Sequence, residues 1–326
     1  MSDFVELLDM VTAYQRSAVV AAACETGVAG AIAHRAMRAD ELAAEHSLHP
    51  GAVRALLGAL AALGLVEKVG GRYRLSDAGA PLDPGHPRSI AAIVSREWSG
   101  YGLWAGVPQT IRDGHARLPS WRSRIRDDPT GALASLAAHD DLAALSEDDL
   151  ARLAAIGGAG RLLDVGGGAG SHAAALMGAT AGLEATVLDL APVGDLVRAR
   201  HPEVGFVAGD IALPHLGLVA PAPWDVVLLA DVLREGSREA ARRLIHEASS
   251  LVISGGLLVV YEPLLDEDGD GPTAVAMLTL ATMAASEGAT TYRASEIHEW
   301  MAEAGMAFVE TRRGAGSMGV VRGWRP

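Results

Sequence analysis

The sequence predicts an α/β protein with a smaller, mainly helical domain at its N-terminus, and three observations predict it. From residue 160 onward, apolar strand segments alternate with helical ones. A glycine-rich turn, "LLDVGGGAG", joins the first of these strands to a helix. The first 95 residues instead combine helices with a hairpin. We therefore expect a helical domain over residues 1–95, a helical connecting region over 96–155 that contributes to a substrate pocket, and the α/β domain over 156–326.

The N-terminal segment has the pattern of a winged helix. Helices are predicted over residues 3–23 and 26–36, and "RADELAAEHSL" predicts a short amphipathic helix. Pro50 suits the start of the next helix, which Gly64 ends. "LVEKVGGRYRLS" then predicts a hairpin turning on two adjacent glycines.

The helix that would read DNA in such a domain is nearly uncharged. Between His49 and Leu63 it carries one charge, Arg54. Reading a groove requires donors for phosphates and base edges. The formal net charge of −13 also disfavours nucleic acid and anionic membranes. We therefore expect no nucleic-acid or membrane partner, and we expect this helix to be buried, against a partner subunit.

Targeting and metal signals are weak. The acidic start "MSDFVELLDM" differs from a signal peptide, and the apolar stretch 17–33 is broken by Glu25 and two glycines. Cys24 is the only cysteine, and no Cys/His set has zinc-site spacing. The sequence predicts a cytoplasmic protein without a metal ion.

The second half has the pattern of a parallel sheet covered on both faces. Strands are predicted in "RLLDVGG", "EATVLDL", "GFVAGDI", "WDVVLLADV" and "GLLVVYEPL", with helices between them. Ligands of such sheets bind beyond the carboxyl ends of the strands. The glycine-rich turn lies at such an end, but Ser171 stands where a dinucleotide fingerprint has its third glycine. A nicotinamide or flavin site is therefore poorly matched.

Carboxylates at three strand ends point to a different cofactor. Asp189 follows Asp164 by 25 residues, where a carboxylate can accept both ribose hydroxyls. Asp210 can accept from an adenine amino group, and Asp164 can face a cationic ligand end. No P-loop lysine follows the glycines. A cofactor with adenine, ribose and a positive centre but no phosphate fits this set, which describes S-adenosylmethionine.

Aromatic residues cluster in the predicted connecting region. Trp98, Tyr101, Trp104 and Trp121 lie within 24 positions. They suit either core packing between domains or an aromatic-lined substrate pocket, because pockets favour domain junctions.

Several segments together resemble the bacterial and plant small-molecule O-methyltransferases over nearly the whole chain. They are "LGLVEKVGGRYRLSDAG", "LLDVGGGAG", "VLDL", "VAGDI", "GGLLVVYEPLLDEDG" and "EIHEWMAEAGM". The resemblance implies a Rossmann-like, seven-stranded sheet with an antiparallel last strand. It also implies S-adenosylmethionine as cofactor, a small-molecule acceptor, and a homodimer formed through the winged-helix domain.

The resemblance also implies site residues. The cofactor-binding positions are Asp164, Gly166, Gly168, Asp189, Leu190, Gly209, Asp210, Ile211 and Asp231. The substrate-binding candidates are Trp98, Tyr101, Trp104, Met283 and Thr291.

The family's catalytic base is altered. Its Leu-His-Asp-Trp run reads Leu233-Arg234-Glu235-Gly236 here, so Arg234 occupies the histidine position. Of the two carboxylates that flank that histidine in the family, one matches Glu262. The other falls at or near Thr291, by its spacing from "AEAG". Our catalytic candidates are Glu262, Arg234 and His298; His139, His172 and His115 are less well placed.

An arginine is not a base at neutral pH. Four interpretations stay open. The enzyme methylates a low-pKa phenol or an amine by positioning alone, helped by Glu262; or Arg234 clamps a carboxylate-bearing acceptor that is methylated at carbon or nitrogen. Alternatively, the protein binds the cofactor but does other chemistry, or Arg234 only pairs with Glu235 or Glu262. A winged-helix regulator with a ligand-binding domain is the competing class to an enzyme of secondary metabolism.

Overall fold

The computed structural model describes residues 2–144, 147–158, 160–221, 223–314 and 316–326. The chain forms two compact units, Met1–Tyr101 and Gly102–Pro326. The predicted division into three segments stays a prediction.

The first unit is mainly helical and ends in a hairpin and one further helix. Its elements are α1 (Ser2–Thr12), α2 (Tyr14–Glu25), α3 (Val28–His34), α4 (Ala39–Glu45), α5 (Pro50–Ala62), β1 (Val66–Val69), β2 (Arg72–Leu75) and α6 (Ala91–Ser99). The hairpin turns on Gly70 and Gly71, whose φ values of 58° and 78° only glycine adopts cheaply. This arrangement matches the predicted helix–turn–helix–hairpin order.

The N-terminal helix differs from the prediction over residues 3–23. The structure has two helices that meet at Ala13, where hydrogen bonding tightens to three-residue spacing: Ala13 N donates to Met10 O, and Arg16 N donates to Ala13 O. The nearly uncharged α5 buries Val53, Leu57 and Leu60 within its own unit, so part of its apolar face is already covered there.

The second unit begins with four helices. They are α7 (Tyr101–Asp113), α8 (Trp121–Asp127), α9 (Pro129–Ala144) and α10 (Glu147–Ala154). Strands and helices then alternate: β3 (Arg161–Val165), α11 (Ser171–Ala179), β4 (Glu184–Asp189), α12 (Gly194–Arg200), β5 (Gly205–Ala208), α13 (Leu216–Val219), β6 (Trp224–Ala230), α14 (Arg238–Leu251), β7 (Val252–Leu265), α15 (Thr273–Ala285), β8 (Tyr292–Arg293), α16 (Ala294–Glu303), β9 (Ala307–Arg313) and β10 (Met318–Trp324).

The sheet confirms the predicted α/β class. Its strand order is β5-β4-β3-β6-β7-β10-β9, and β10 runs antiparallel to both of its neighbours. The two-residue β8 adds to these seven by pairing with the end of β7. Apolar side chains pack on both faces of the sheet, which is why its central strands are almost entirely apolar. The carboxyl ends of β3, β4, β6 and β7 consequently meet along one edge.

Within the described ranges, no single helix is long and apolar enough to cross a membrane. The segments Phe4–Glu25 and Val28–His34 are joined at a sharp bend. Taken together, and by length and composition only, they are long and apolar enough.

Candidate active site

The turn after β3 depends on glycine. Gly166 and Gly168 have φ values of 74° and 55°. A Cβ on Gly166 would lie 2.8 Å from Val232 Cγ2 and 3.0 Å from Ile211 Cδ1. A Cβ on Gly167 would lie 2.5 Å from the carboxyl group of Asp164. The backbone therefore approaches its surroundings closely, and the Ile211 side chain lies against the glycine-rich turn.

Asp164 is a buried carboxyl group without a hydrogen-bond partner. Neither Oδ1 nor Oδ2 finds a donor among the described residues. Burial, together with the charges of Asp189 and Asp140, raises the pKa of Asp164 to about 8. An unpaired buried carboxylate is costly, so a cationic group placed beside it would bind favourably.

Asp189 is partly satisfied by the same turn. Its Oδ2 accepts from Gly168 N at 3.0 Å and its Oδ1 from Leu190 N at 2.7 Å. Burial raises the pKa of Asp189 to about 6, against the lowering effect of these two bonds. Each carboxylate oxygen can accept more than one hydrogen bond, so Asp189 can still receive ribose hydroxyls.

The strand-end turn after β5 holds the adenine candidates. Asp210 Oδ1 accepts from Ala212 N at 2.9 Å, and Asp210 Oδ2 pairs with Arg122 of α8 at 2.5 Å. A Cβ on Gly209 would lie 3.1 Å from both Leu188 and Val219 side chains. Space at Gly209 is therefore tight, and Asp210 already has a cationic partner.

Arg234 is bound to carboxylates of the protein itself. Its Nε donates to Asp231 Oδ1 at 2.6 Å and its Nη2 to Asp231 Oδ2 at 2.8 Å, while Nη1 donates to Glu235 at 2.9 Å. The Arg234 and Asp231 side chains are 12% and 13% exposed. Burial opposes the charge of Asp231, but Arg234 outweighs it and holds the pKa of Asp231 well below its usual range.

Asp231 also contacts a histidine, a side chain that can carry a positive charge, and no sequence pattern indicated this contact. His139 Nε2, from α9, lies 2.8 Å from Asp231 Oδ2. The two residues are 92 positions apart, and a lone histidine on an alanine-rich helix carries no local signal. Asp231 itself has a left-handed φ of 54°, which aspartate tolerates better than most residues.

Glu262 lies at the end of β7 and supports the turn that carries Arg234. Its Oε1 accepts from Val232 N and from Leu233 N, both at 2.7 Å. Burial, together with the charge of Asp231, raises the pKa of Glu262 to about 8, against the lowering effect of Arg234. Glu262 is 2% exposed and already accepts from two backbone N–H groups, so an acceptor has little access to it.

Thr291 and His298 lie in different places. Thr291 is buried directly before β8, and its hydroxyl lies 2.5 Å from that of Thr279. His298 Nε2 lies 2.7 Å from Thr311 Oγ1 on β9. Thr311 pairs with Val321, which pairs with Val260, so His298 binds two strands away from β7. This placement gives no support to His298 as a base.

The predicted substrate residues are distributed over both units. Trp98 and Tyr101, in the first unit, stack with ring centroids 5.3 Å apart. Trp104 and Met283 belong to the second unit and are each about two-fifths exposed. Their roles in binding substrate stay predictions.

No group of three or more His, Cys, Asp or Glu side chains in the described part of the chain could hold a metal ion. The expected absence of a metal remains a prediction.

Comparisons with known proteins agree with this geometry. Residues 114–307 match the model of an O-methyltransferase domain, and residues 8–82 match that of an O-methyltransferase dimerisation domain. The 3-hydroxy-5-methyl-1-naphthoate 3-O-methyltransferase of Streptomyces sahachiroi is 28% identical, over 97% of this chain and 94% of its own. The N,N-dimethyltransferase OxyT of Streptomyces rimosus is 31% identical, over 80% of this chain and 78% of its own.

Human N-acetylserotonin methyltransferase, solved in complex with S-adenosylmethionine, has the same fold. Its TM-score is 0.89 at 22% identity, covering 100% of this chain and 98% of the human one. The unpartnered Asp164 beside a glycine-lined turn suits the cationic end of that cofactor. This chain belongs to the O-methyltransferase family and is an S-adenosylmethionine-dependent methyltransferase.

Proposed function

We propose that this enzyme methylates a hydroxyl group of a small aromatic acceptor in the biosynthesis of a secondary metabolite. The relative from Streptomyces sahachiroi is named for O-methylation of a hydroxynaphthoate, which supports an aromatic hydroxyl. OxyT is named for methylation at nitrogen, so an amine acceptor is the second candidate.

The cofactor would be held by the three strand-end carboxylates. Asp164 would face the cationic methionine end, Asp189 the ribose hydroxyls and Asp210 the adenine amino group. When bound, S-adenosylmethionine supplies an electrophilic methyl group, whose bonding electrons stay on sulfur when an acceptor atom takes the carbon. The protein's own contribution is to orient the acceptor and to exclude water.

The bidentate pair between Arg234 and Asp231 carries this proposal. Because three of the guanidinium N–H groups already bind Asp231 and Glu235, Arg234 is poorly available as a clamp for an acceptor carboxylate. The carboxylates of Asp231 and Glu235 would also repel such an acceptor. This favours a hydroxyl acceptor over the clamped acceptor methylated at carbon or nitrogen, and it assigns Arg234 the task of fixing the turn after β6.

A homodimer formed through the first unit is part of the proposal. Residues 8–82 match the family's dimerisation domain, and α1 exposes large apolar side chains such as Phe4 and Met10, at 71% and 73%. Light scattering should give twice the chain mass of 33.7 kDa.

Calorimetry and mass spectrometry test the function in sequence. S-adenosylmethionine and its demethylated product should bind, and Asp189→Ala should weaken binding by about 10²–10⁴-fold, because two ribose hydrogen bonds to a charged group are lost and each is worth about 1.5–3 kcal/mol. Incubation with hydroxynaphthoates, phenols and aromatic amines should then add one CH₂ in mass to a hydroxyl acceptor. Methylation confined to amines or carbon would contradict the hydroxyl assignment. Cofactor binding with no methylated acceptor would indicate non-methylating chemistry.

A further inference from the structure

We propose that His139, oriented by Asp231, is the residue that accepts the proton of the acceptor hydroxyl. This inference rests on the proposed O-methylation and names a base for it. The family's base position is occupied by Arg234, and no sequence motif marks a replacement.

The contact between His139 and Asp231 has the geometry of a histidine–carboxylate dyad. His139 Nε2 lies 2.8 Å from Asp231 Oδ2. A carboxylate that accepts the Nε2–H proton fixes the tautomer in which Nδ1 carries the free lone pair. Asp231 is itself held by two hydrogen bonds from Arg234. Arg234 thereby keeps Asp231 ionised and in place, so the residue that replaces the usual base supports the new one.

The position of α9 places His139 beside the cofactor turn. Leu136 Cδ1 lies 3.2 Å from where a Cβ on Gly168 would be, so α9 packs against the glycine-rich turn. His139 follows Leu136 by three residues and therefore lies on the same helical face. The neighbouring Asp140 Oδ1 accepts from Ser171 N at 3.2 Å, which fixes α9 to the start of α11.

The other charged and titratable groups around His139 leave it the most available base. Asp140 is buried and pairs with Arg200. Burial lowers the pKa of His172, and the charge of His139 lowers it further, although Asp231 and Asp140 oppose this. Glu262 is 2% exposed and accepts from Val232 N and Leu233 N. The His139 side chain is 29% exposed, so its ring remains accessible.

The proton transfer balances without another reagent. The acceptor hydroxyl gives its proton to Nδ1 of His139, and its oxygen keeps the electron pair that forms the new bond to carbon. The resulting imidazolium is stabilised by Asp231 and afterwards loses its proton to water.

Nitrogen NMR of ¹⁵N-histidine-labelled protein tests the orientation without any substrate. In the full-length wild type, the neutral imidazole of His139 should carry its proton on Nε2 and be bare at Nδ1. Asp231→Asn should reduce that preference. A His139 ring that carries its proton on Nδ1 would overturn the proposal, whatever the methylation assays give.

A series of phenols and naphthols of graded pKa tests the chemistry. His139→Gln should lower kcat/KM by about 10²–10⁴-fold for acceptors whose pKa lies well above the assay pH. The loss should shrink towards none for acceptors already ionised, because these need no base. His246→Gln, which alters an exposed histidine 3.9 Å from Glu303, is the matched control and should retain full activity.

The outcomes separate this inference from the proposed function. An equal loss for every acceptor in His139→Gln would mean that His139 only positions the acceptor, which overturns the proposal while O-methylation stands. A wild-type enzyme that binds S-adenosylmethionine but methylates no hydroxyl would overturn the proposed function, and this proposal with it.

Discussion

Buried carboxyl groups at two places along the same sheet edge have opposite surroundings. We call these places the first corner, at the ends of β3 and β4, and the second corner, at the end of β6. At β3 and β4, Asp164 has no hydrogen-bond donor among the described residues and Asp189 has only backbone donors, and burial raises their pKa values to about 8 and about 6. At β6, Asp231 meets a guanidinium and an imidazole, and its pKa falls. The first corner leaves its charge to be matched by a ligand, whereas the second is matched within the chain.

Under the proposed function, the first corner would bind the cofactor and the second would support the turn after β6. A buried carboxyl group without a partner costs stability in the free protein, and a cationic ligand repays that cost on binding. A carboxylate already paired by Arg234 gains little from a ligand, but it can hold neighbouring groups in a fixed geometry.

Breaking the paired corner should have the largest effect. Arg234→Met leaves the Asp231 charge buried with only His139 beside it, and we expect about 3–5 kcal/mol lower free energy of unfolding. Urea denaturation followed by circular dichroism measures it. The double variant Arg234→Met with Asp231→Leu removes both charges and should recover most of the loss. A double variant as unstable as the single one would show that the ion pair is not the cause.

Neutralising Asp164, at the first corner, should raise the stability of the cofactor-free protein rather than lower it. The folded-state pKa of Asp164 is raised to about 8 from its ordinary 3.8, so between these pH values the folded protein holds a proton that the unfolded chain has lost. Stability of the cofactor-free protein should fall as pH rises through this window. Asp164→Asn should remove the part of this slope that Asp164 contributes, while the raised pKa values of Glu262 and Asp189 keep the rest, and it should stabilise the free protein at pH 8 by on the order of 3 kcal/mol.

The same Asp164→Asn variant should bind S-adenosylmethionine more weakly, as calorimetry would measure. A free protein with no pH slope between 4 and 8, or a variant that binds as tightly as the wild type, would contradict the contrast between the two corners.

Adding a methyl group at the glycine-rich turn should change the free energy of unfolding less than removing the charge of Arg234 or of Asp164. Gly166→Ala combines a φ of 74° with a contact of 2.8 Å to Val232, and we expect about 1–3 kcal/mol lower stability and weakened cofactor binding. Gly182→Ala is the control, because Gly182 has a φ of 77° and nothing within 4 Å of the added carbon. It should lose only the backbone contribution of about 1 kcal/mol and bind cofactor normally.

The exposed partner of Arg234 should matter least. The Glu235 side chain is 52% exposed, and exposed ion pairs are worth about 0–1 kcal/mol. Glu235→Gln should change the free energy of unfolding by less than about 0.5 kcal/mol and leave methyl transfer intact. A loss comparable to that of Arg234→Met would mean that Glu235, rather than Asp231, holds the guanidinium.

Local patterns predicted the sheet and the positions of two buried carboxyl groups at its edge. The segments "LLDVGG" and "VLDL" carry strand, turn and carboxylate within a few residues, so the sequence places Asp164 and Asp189 at neighbouring strand ends. The hairpin on Gly70 and Gly71 is equally local, since only glycine suits both left-handed positions.

The second corner could not be predicted because its contacts join distant segments. His139 meets Asp231 only once α9 packs on the glycine-rich turn, and no spacing rule links the two positions. His298 looked better placed by sequence, yet it binds Thr311 on the far side of β10. Which of two histidines faces a given carboxylate depends on helix packing, which periodicity does not specify.

The bidentate pair also constrains how this enzyme can evolve. Restoring the family's histidine at position 234 would remove both hydrogen bonds to Asp231 and leave its buried charge largely uncompensated. Replacing Asp231 first would instead leave the buried Arg234 guanidinium without its bidentate partner. Each single step passes through a destabilised intermediate, so the two positions must change together. A histidine at position 234 is therefore expected to be tolerated only together with a change at position 231, three residues away.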